Sequence, residues 1–189
     1  MSEALQIKRA LFKDEVILWQ GKPRLGIVFR QNDWLFVPFS IAWTSVAFHF
    51  EYSNLSTSGS AFMSLFDLVF VIIGIYLTAG RFLVDAVIRR NTDYALTNRR
   101  AIVATSAFGI GNTSVDIRNT SNISMIEMQN GSGSIMFGSE PWNYAYWDGV
   151  HIPGFKRVPR FEMIKEVLEV YAQIMHIKSG TNTPSPNAV

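Results

Sequence analysis

Two long apolar segments interrupt an otherwise mixed chain. Seventeen residues from Trp34 to Phe50 carry no formal charge, and twenty residues from Ala61 to Gly80 include only Asp67. At about 1.5 Å rise per residue, the second segment spans the roughly 30 Å hydrocarbon core of a bilayer, and the first reaches about 26 Å. Neither segment has a polar stripe wide enough to face water. The pattern predicts transmembrane helices over 34–50 and 61–82; the alternative is two buried helices of a soluble α protein.

Basic residues flank this pair of segments on the outer sides. Lysines and arginines occur within residues 1–33 and again from Arg81 onward, whereas residues 51–60, which connect the two segments, contain none. Positively charged flanks stay in the cytoplasm, so both termini are expected there and 51–60 is expected to be an extracytoplasmic loop. Residues 1–33 lack the apolar core of a signal peptide and are expected to be an N-terminal cytoplasmic segment. The predicted location is the inner, cytoplasmic membrane, with a multi-pass topology.

Beyond Arg90 the chain consists of short alternating segments separated by Gly, Asn, Ser and Pro, a pattern typical of antiparallel β-structure. A tight turn is expected at Thr97–Arg100, and Asn130-Gly131 predicts a hairpin turn because both residue types tolerate positive φ. A spacing of about 8 to 12 residues between strands indicates a small sandwich or barrel. The predicted strands cover residues 94–96, 101–106, 114–117, 123–129, 134–137 and 144–147.

The last predicted element is one amphipathic helix of about 17 residues. Pro159 precedes it as a start signal, and Ser179-Gly180 ends it. Residues 91–178 would then form one cytoplasmic domain, followed by a disordered tail over 179–189. The apolar face of the predicted helix comprises Phe161, Ile164, Val167, Leu168, Tyr171, Ile174 and Met175.

Composition supports a membrane segment and excludes several kinds of chemistry. Of the 189 residues, 48% are hydrophobic and only 17% are charged, against roughly 25% charged in soluble domains. The absence of cysteine excludes disulfides and cysteine catalysis, and the three histidines share no metal-ligand spacing. The glycine-rich stretch at 131–138 lacks the Lys-Ser/Thr ending of a phosphate loop. We therefore expect no enzymatic activity, no catalytic residue, no metal, no cofactor and no nucleic-acid partner.

Two motifs carry a resemblance to a known family. The stretch DYALTNRRAIV at 93–103 resembles the Y-x-L-T-N-R-R opening of bacterial pleckstrin-homology-like (bPH) membrane proteins, and EVILWQGKP at 15–23 is similar to the segment that begins many of them. The resemblance covers nearly the whole chain. It implies an α+β fold: a two-helix transmembrane hairpin followed by a PH-like split β-barrel capped by a C-terminal helix.

Three groups of residues are candidates for function. The lipid-headgroup candidates are Arg89, Arg90, Arg99 and Arg100. The alternative is that the first two anchor the helix and the last two hold the turn through backbone carbonyls. Asp67, the intramembrane polar candidate, would either move protons with His49 or form a structural hydrogen bond with Ser64 or a partner helix. The partner-interface candidates, which alternatively close the barrel, are Trp142, Tyr144, Tyr146, Trp147 and Phe155.

These observations favour a non-enzymatic, membrane-anchored interaction or assembly module on the cytoplasmic face. Its expected partners are membrane lipids, an unidentified membrane or cytoplasmic protein, and a second copy of the chain in a homo-oligomer. Two alternative functions are an anionic lipid-headgroup binding module and a small transport or proton-handling subunit that uses Asp67.

Overall fold

The computed structural model describes residues 11–30, 32–57, 60–139 and 158–180. In these residues the fold is α+β, with three helices and two antiparallel sheets. The helices are α1 (Asp33–Ser56), α2 (Ala61–Arg90, with a π-helical turn at Tyr76–Gly80) and α3 (Val167–Ser179). The strands are β1 (Ile17–Gly21), β2 (Thr92–Thr97), β3 (Arg100–Thr105), β4 (Gly111–Asp116), β5 (Ile123–Glu127), β6 (Gly133–Phe137) and β7 (Arg160–Ile164).

The described chain divides into two compact units. The helical unit comprises 26–30, 32–57 and 60–86, which include α1 and most of α2. The sheet unit comprises 11–25, 87–139 and 158–180, which include both sheets and α3.

The first sheet of the sheet unit has the order β1-β2-β3-β4. Strand β1 precedes the helical unit in sequence, yet it pairs with β2 in an antiparallel register that places Gly21 opposite Tyr94 and Gln20 opposite Ala95. The helical unit is therefore inserted between two neighbouring strands of one sheet. The sequence analysis treated 1–33 as a separate segment and did not predict β1.

The second sheet has the order β5-β6-β7. The predicted Asn130-Gly131 turn is present between β5 and β6, with Gly131 at a φ of 73°. The Met128 carbonyl accepts a hydrogen bond from Gly131 N–H at 3.0 Å, which closes the turn. The predicted strand at 144–147 lies outside the described residues.

One core joins the two sheets and α3. Leu96, Ile135, Phe161 and Ile174 are all fully buried in it. Tyr94 links the sheets directly, because its hydroxyl accepts a hydrogen bond from Glu162 N–H at 3.1 Å. Burial raises the pKa of the Tyr94 hydroxyl.

The predicted C-terminal helix begins later than expected. Phe161 and Ile164 belong to β7, and α3 starts only at Val167. A β-bulge explains their helix-like spacing. Phe161 lies opposite Ile135 and Ile164 lies opposite Gly133, so an interval of three residues on β7 pairs with an interval of two on β6. Met163, inside the bulge, has a φ of 48°. On α3 itself Leu168 is exposed, which corrects its predicted place on the apolar face.

The two apolar helices are both longer than predicted. Helix α1 continues to Ser56, through part of the expected loop, and α2 continues to Arg90. Within the described residues only α2 is long and apolar enough to cross a bilayer: its most apolar 18-residue window has a mean hydropathy of 2.1 and is 11% buried. Helix α1 does not qualify, since the serines, threonines and acidic residues along it lower its hydropathy.

Candidate functional site

A buried ion pair connects the two motifs that carry the resemblance. Arg100 Nε lies 2.8 Å from Glu15 Oε1, and Arg100 Nη2 lies 2.8 Å from Oε2, so the guanidinium binds the carboxylate through two parallel hydrogen bonds. The Glu15 side chain is fully buried and that of Arg100 is 16% exposed. The Phe12 ring lies 4.4 Å from the guanidinium carbon and covers the pair.

The surroundings of Glu15 favour its charged form. Its hydrogen bonds with Arg100 lower the pKa of the Glu15 carboxyl from 4.5 to about 2, although burial opposes this shift. The Phe12 N–H at 3.0 Å and the Thr97 hydroxyl at 2.7 Å also donate to the carboxylate and lower its pKa. The same pairing raises the pKa of Arg100.

The predicted turn at Thr97–Arg100 is bound by the segment just before β1. Asn98 N–H donates to the Val16 carbonyl at 3.1 Å, and its side-chain oxygen accepts from Val16 N–H at 3.3 Å. The Asn98 amide also donates to the Asp14 carbonyl at 3.3 Å. Residues about 80 positions apart in sequence therefore form one polar cluster, in which Arg100 binds the Glu15 carboxylate.

The four arginine candidates do not meet in one site. Arg89 is 2% exposed and donates through Nη1 to the Arg24 carbonyl at 2.5 Å. Arg100 is paired with Glu15. Arg90 and Arg99 are exposed, but they flank opposite ends of β2, a six-residue strand that is about 20 Å long.

A second buried charge cluster lies in the helical unit. Arg81 Nη2 lies 2.8 Å from Asp33 Oδ1, and Arg30 Nη2 lies 3.1 Å from Asp85 Oδ1. The two pairs are linked, because Arg30 N–H donates to Asp33 Oδ2 at 2.6 Å. These four side chains are 2 to 11% exposed. This cluster was not predicted, although both of its segments have an arginine and an aspartate at helical spacing, Arg30 with Asp33 and Arg81 with Asp85.

Asp67 forms a hydrogen bond between the two apolar helices. Its Oδ2 accepts from the Asn54 amide on α1 at 2.5 Å. Ser64, the partner that the sequence indicated, instead donates to Glu51 Oε1 at 2.7 Å. His49 is exposed and its ring lies beside Phe50. These contacts give Asp67 a structural partner on α1.

Two further predictions concern metal binding and the aromatic interface residues. The described part of the chain contains no group of three or more His, Cys, Asp or Glu residues able to hold a metal ion. The predicted aromatic interface residues Trp142, Tyr144, Tyr146, Trp147 and Phe155 lie outside the described residues.

Comparison with protein-family models, curated proteins and solved structures finds no match to this chain. Of the candidates, Arg90 and Arg99 are exposed, while Arg89, Arg100 and Asp67 take part in structural hydrogen bonds.

Proposed function

We propose that this protein is a non-enzymatic, membrane-anchored interaction or assembly module. In this proposal α1 and α2 form a transmembrane hairpin, and the sheet unit is a PH-like split barrel, capped by α3, on the cytoplasmic face of the inner membrane. The observation that carries it is the insertion of an apolar helical pair between β1 and β2, because the chain leaves and re-enters the same end of one sheet.

The surface of the two helices supports a bilayer environment. Large apolar side chains are exposed on both helices, and exposed apolar area of this extent is found where a protein meets a membrane or a partner. Trp34 at the start of α1 and Tyr52 near its end are 78% and 72% exposed, at positions suited to the two interfacial aromatic belts. The remaining exposed apolar residues include Leu35, Phe39, Ile41, Val46, Phe62, Leu65, Phe66, Val69 and Ile72.

A seam of small residues between the helices supports the hairpin. A Cβ built on Gly74 of α2 would lie 3.1 Å from the Thr44 backbone, and the Thr44 and Thr78 hydroxyls are 3.1 Å apart. Ser40 and Ala47 are buried on α1. Close packing through small residues is typical of helices in membranes. The Thr44 hydroxyl also lies 2.6 Å from the Ser40 carbonyl, so this polar group needs no water.

The element order of the sheet unit supports the PH-like assignment. An antiparallel sheet of four strands, a second one of three strands and one C-terminal helix suit a PH-like split barrel, although β1 comes before the apolar helices and not after them as the resemblance implies. The two motifs that carry the resemblance also bind each other through Glu15 and Arg100.

The edge of the first sheet offers a surface for a partner. Strand β4 lies at the end of the sheet order, beside β3, and five of its six residues are exposed. An exposed edge strand can pair with an extended segment of another chain. The alternative roles have less support, because Arg89 and Arg100 bind other groups and Asp67 binds Asn54.

Photo-cross-linking in native membranes tests the proposed interaction. A benzophenone amino acid replaces Thr113 on the exposed β4 edge, and a matched variant carries it at Glu169 on the exposed face of α3. We expect discrete protein adducts from position 113 and fewer from position 169. Equal, background-level cross-linking at both positions would refute an interaction through this edge.

A further inference from the structure

The loop between β3 and β4, Ser106–Ile110, presents two large apolar side chains to solvent. Phe108 is 70% exposed and Ile110 is 54% exposed, whereas Ala107 is buried. Phe108 has a left-handed backbone (φ 50°, ψ 23°), which is unusual for a bulky residue. The Ile110 N–H bonds to the Ala107 carbonyl at 3.1 Å and closes the turn. The loop therefore holds Phe108 outward in a conformation that packing within the fold does not explain.

This loop lies at the end of the first sheet where α2 connects to β2. In the β2-β3 register Thr92 is opposite Thr105, and the Ser106 N–H donates to the Asn91 carbonyl, one residue past α2, at 3.0 Å. The Thr92 hydroxyl bonds to the Ile88 carbonyl of α2 at 2.7 Å. The Thr97–Arg100 turn is at the opposite end of the same strands.

The exposed surface of α2 remains apolar almost to the end of the helix. Arg81, Asp85 and Arg89 are each 2 to 3% exposed, so none of these charges lies on the outer surface of the helix. Leu83 and Val87 are exposed, and Arg90 is the first exposed charge. From Ala61 to Val87 the helix is about 39 Å long, close to the roughly 40 Å of a bilayer with its headgroups.

We propose that Ser106–Ile110 is a membrane-contact loop that places Phe108 and Ile110 in the headgroup region of the leaflet from which α2 emerges. This inference rests on the proposed membrane anchoring. Apolar side chains such as Phe and Leu enter the boundary between headgroups and acyl chains, and the exposed Arg90 at the end of α2 suits anionic headgroups. No charged residue occurs between Arg100 and Asp116, so the loop can enter the interface without burying a charge. The exposed Arg99 at the far turn would not touch the same surface.

Site-specific fluorescence quenching tests the loop. The chain has no cysteine, so single variants Phe108→Cys, Ile110→Cys, Arg99→Cys and Phe66→Cys can each be labelled with an environment-sensitive dye. The full chain is reconstituted in vesicles that contain lipids with a nitroxide near the headgroup. We expect quenching at 108 and 110 on the order of twofold stronger than at 99. Matching thermal midpoints would show that all four variants are folded.

The comparison with Phe66→Cys separates this inference from the proposed anchor. Phe66 is exposed on α2 and would face lipid in the hairpin. Quenching at 66, together with equally weak quenching at 108, 110 and 99, would overturn the membrane-contact loop and leave the anchor intact. No quenching at 66 with deep or shallow nitroxides would refute the anchor, and the loop proposal with it.

Discussion

At the residue scale, the most informative contact is the one between Glu15 and Arg100. A buried ion pair is weak evidence of net stabilisation, but removing one partner leaves an uncompensated charge. Glu15 is fully buried at its side chain and has four donors around its carboxylate, from Arg100, Thr97 and Phe12. The conspicuous Thr-Asn-Arg-Arg motif therefore maintains the fold through Arg100, and its arginines are not equivalent.

Replacing Arg100 should destabilise the protein much more than replacing its neighbour. Arg100→Met replaces the aliphatic part of the side chain but removes the guanidinium and leaves Glu15 unpaired, so we expect a loss of about 3 kcal/mol in the free energy of unfolding. Arg99→Met, at an exposed position, should change it by less than about 0.5 kcal/mol. Denaturant unfolding in nanodiscs, followed by tryptophan fluorescence, gives both values. Equal effects of the two substitutions would disprove a structural role specific to Arg100.

The lowered pKa of Glu15 predicts a pH dependence with a definite sign. Because the folded pKa is about 2 and the reference value is 4.5, the stabilisation is complete above about pH 5 and is lost as the pH falls towards 2. The loss amounts to about 3 kcal/mol. Glu15→Gln should remove this part of the acid dependence when unfolding is compared between pH 6 and pH 2.5. Parallel curves for the two proteins would contradict the prediction.

At the element scale, some features were predictable and others were not. The Asn130-Gly131 turn and strands β2 to β6 follow from local residue preferences and alternation. Strand β1 was missed because its partner lies more than 70 residues away. The Phe161 and Ile164 spacing favoured a helix because a bulge on β7 brings residues three apart to the same face. For Arg89 and Arg100 the sequence left headgroup binding and a structural role as alternatives, and it could not predict their partners, the Arg24 carbonyl and Glu15, because these are distant in sequence.

The contact between α1 and α2 depends on the small size of Gly74. Gly74→Leu would place side-chain atoms against the Thr44 backbone and force the helices apart. We expect a cost of about 2 kcal/mol in the free energy of unfolding. Ala79→Leu, at an exposed position on the same helix, is the matched control and should have little effect. Thermal midpoints in detergent micelles compare the two, and an equally stable Gly74→Leu protein would refute the close packing.

Substitutions in the charge cluster of the helical unit should have non-additive effects on the free energy of unfolding. Arg81→Met leaves Asp33 buried beside Arg30 N–H without its guanidinium partner, and we expect a loss of about 3 kcal/mol. Adding Asp33→Asn to this variant should recover part of the loss, because the unpaired charge is then absent. Arg90→Met is the exposed control. A double variant no more stable than Arg81→Met alone would contradict this coupling.

At the scale of the whole molecule, the main feature is the position of the apolar helices in the sequence, between two paired strands of one sheet. One sheet contains strands from before and after the apolar helices, so the proposed membrane hairpin would be an insertion within the sheet unit. The chain leaves β1 at Gly21 and enters β2 at Thr92, and these two residues lie at the same end of the sheet. Two contacts connect the residues after β1 with those around the start of β2. Lys22 Nζ lies 3.1 Å from Asp93 Oδ1, and Arg89 donates to the Arg24 carbonyl.

Cysteine accessibility in intact cells or spheroplasts tests this threading most directly. Ser60→Cys lies between the two apolar helices, and Arg99→Cys lies at the β2-β3 turn; both positions are exposed. A membrane-impermeant maleimide added from outside should label position 60 at once and position 99 only after the membrane is permeabilised. Labelling of neither position, or of both, before permeabilisation would contradict a hairpin that crosses the membrane twice.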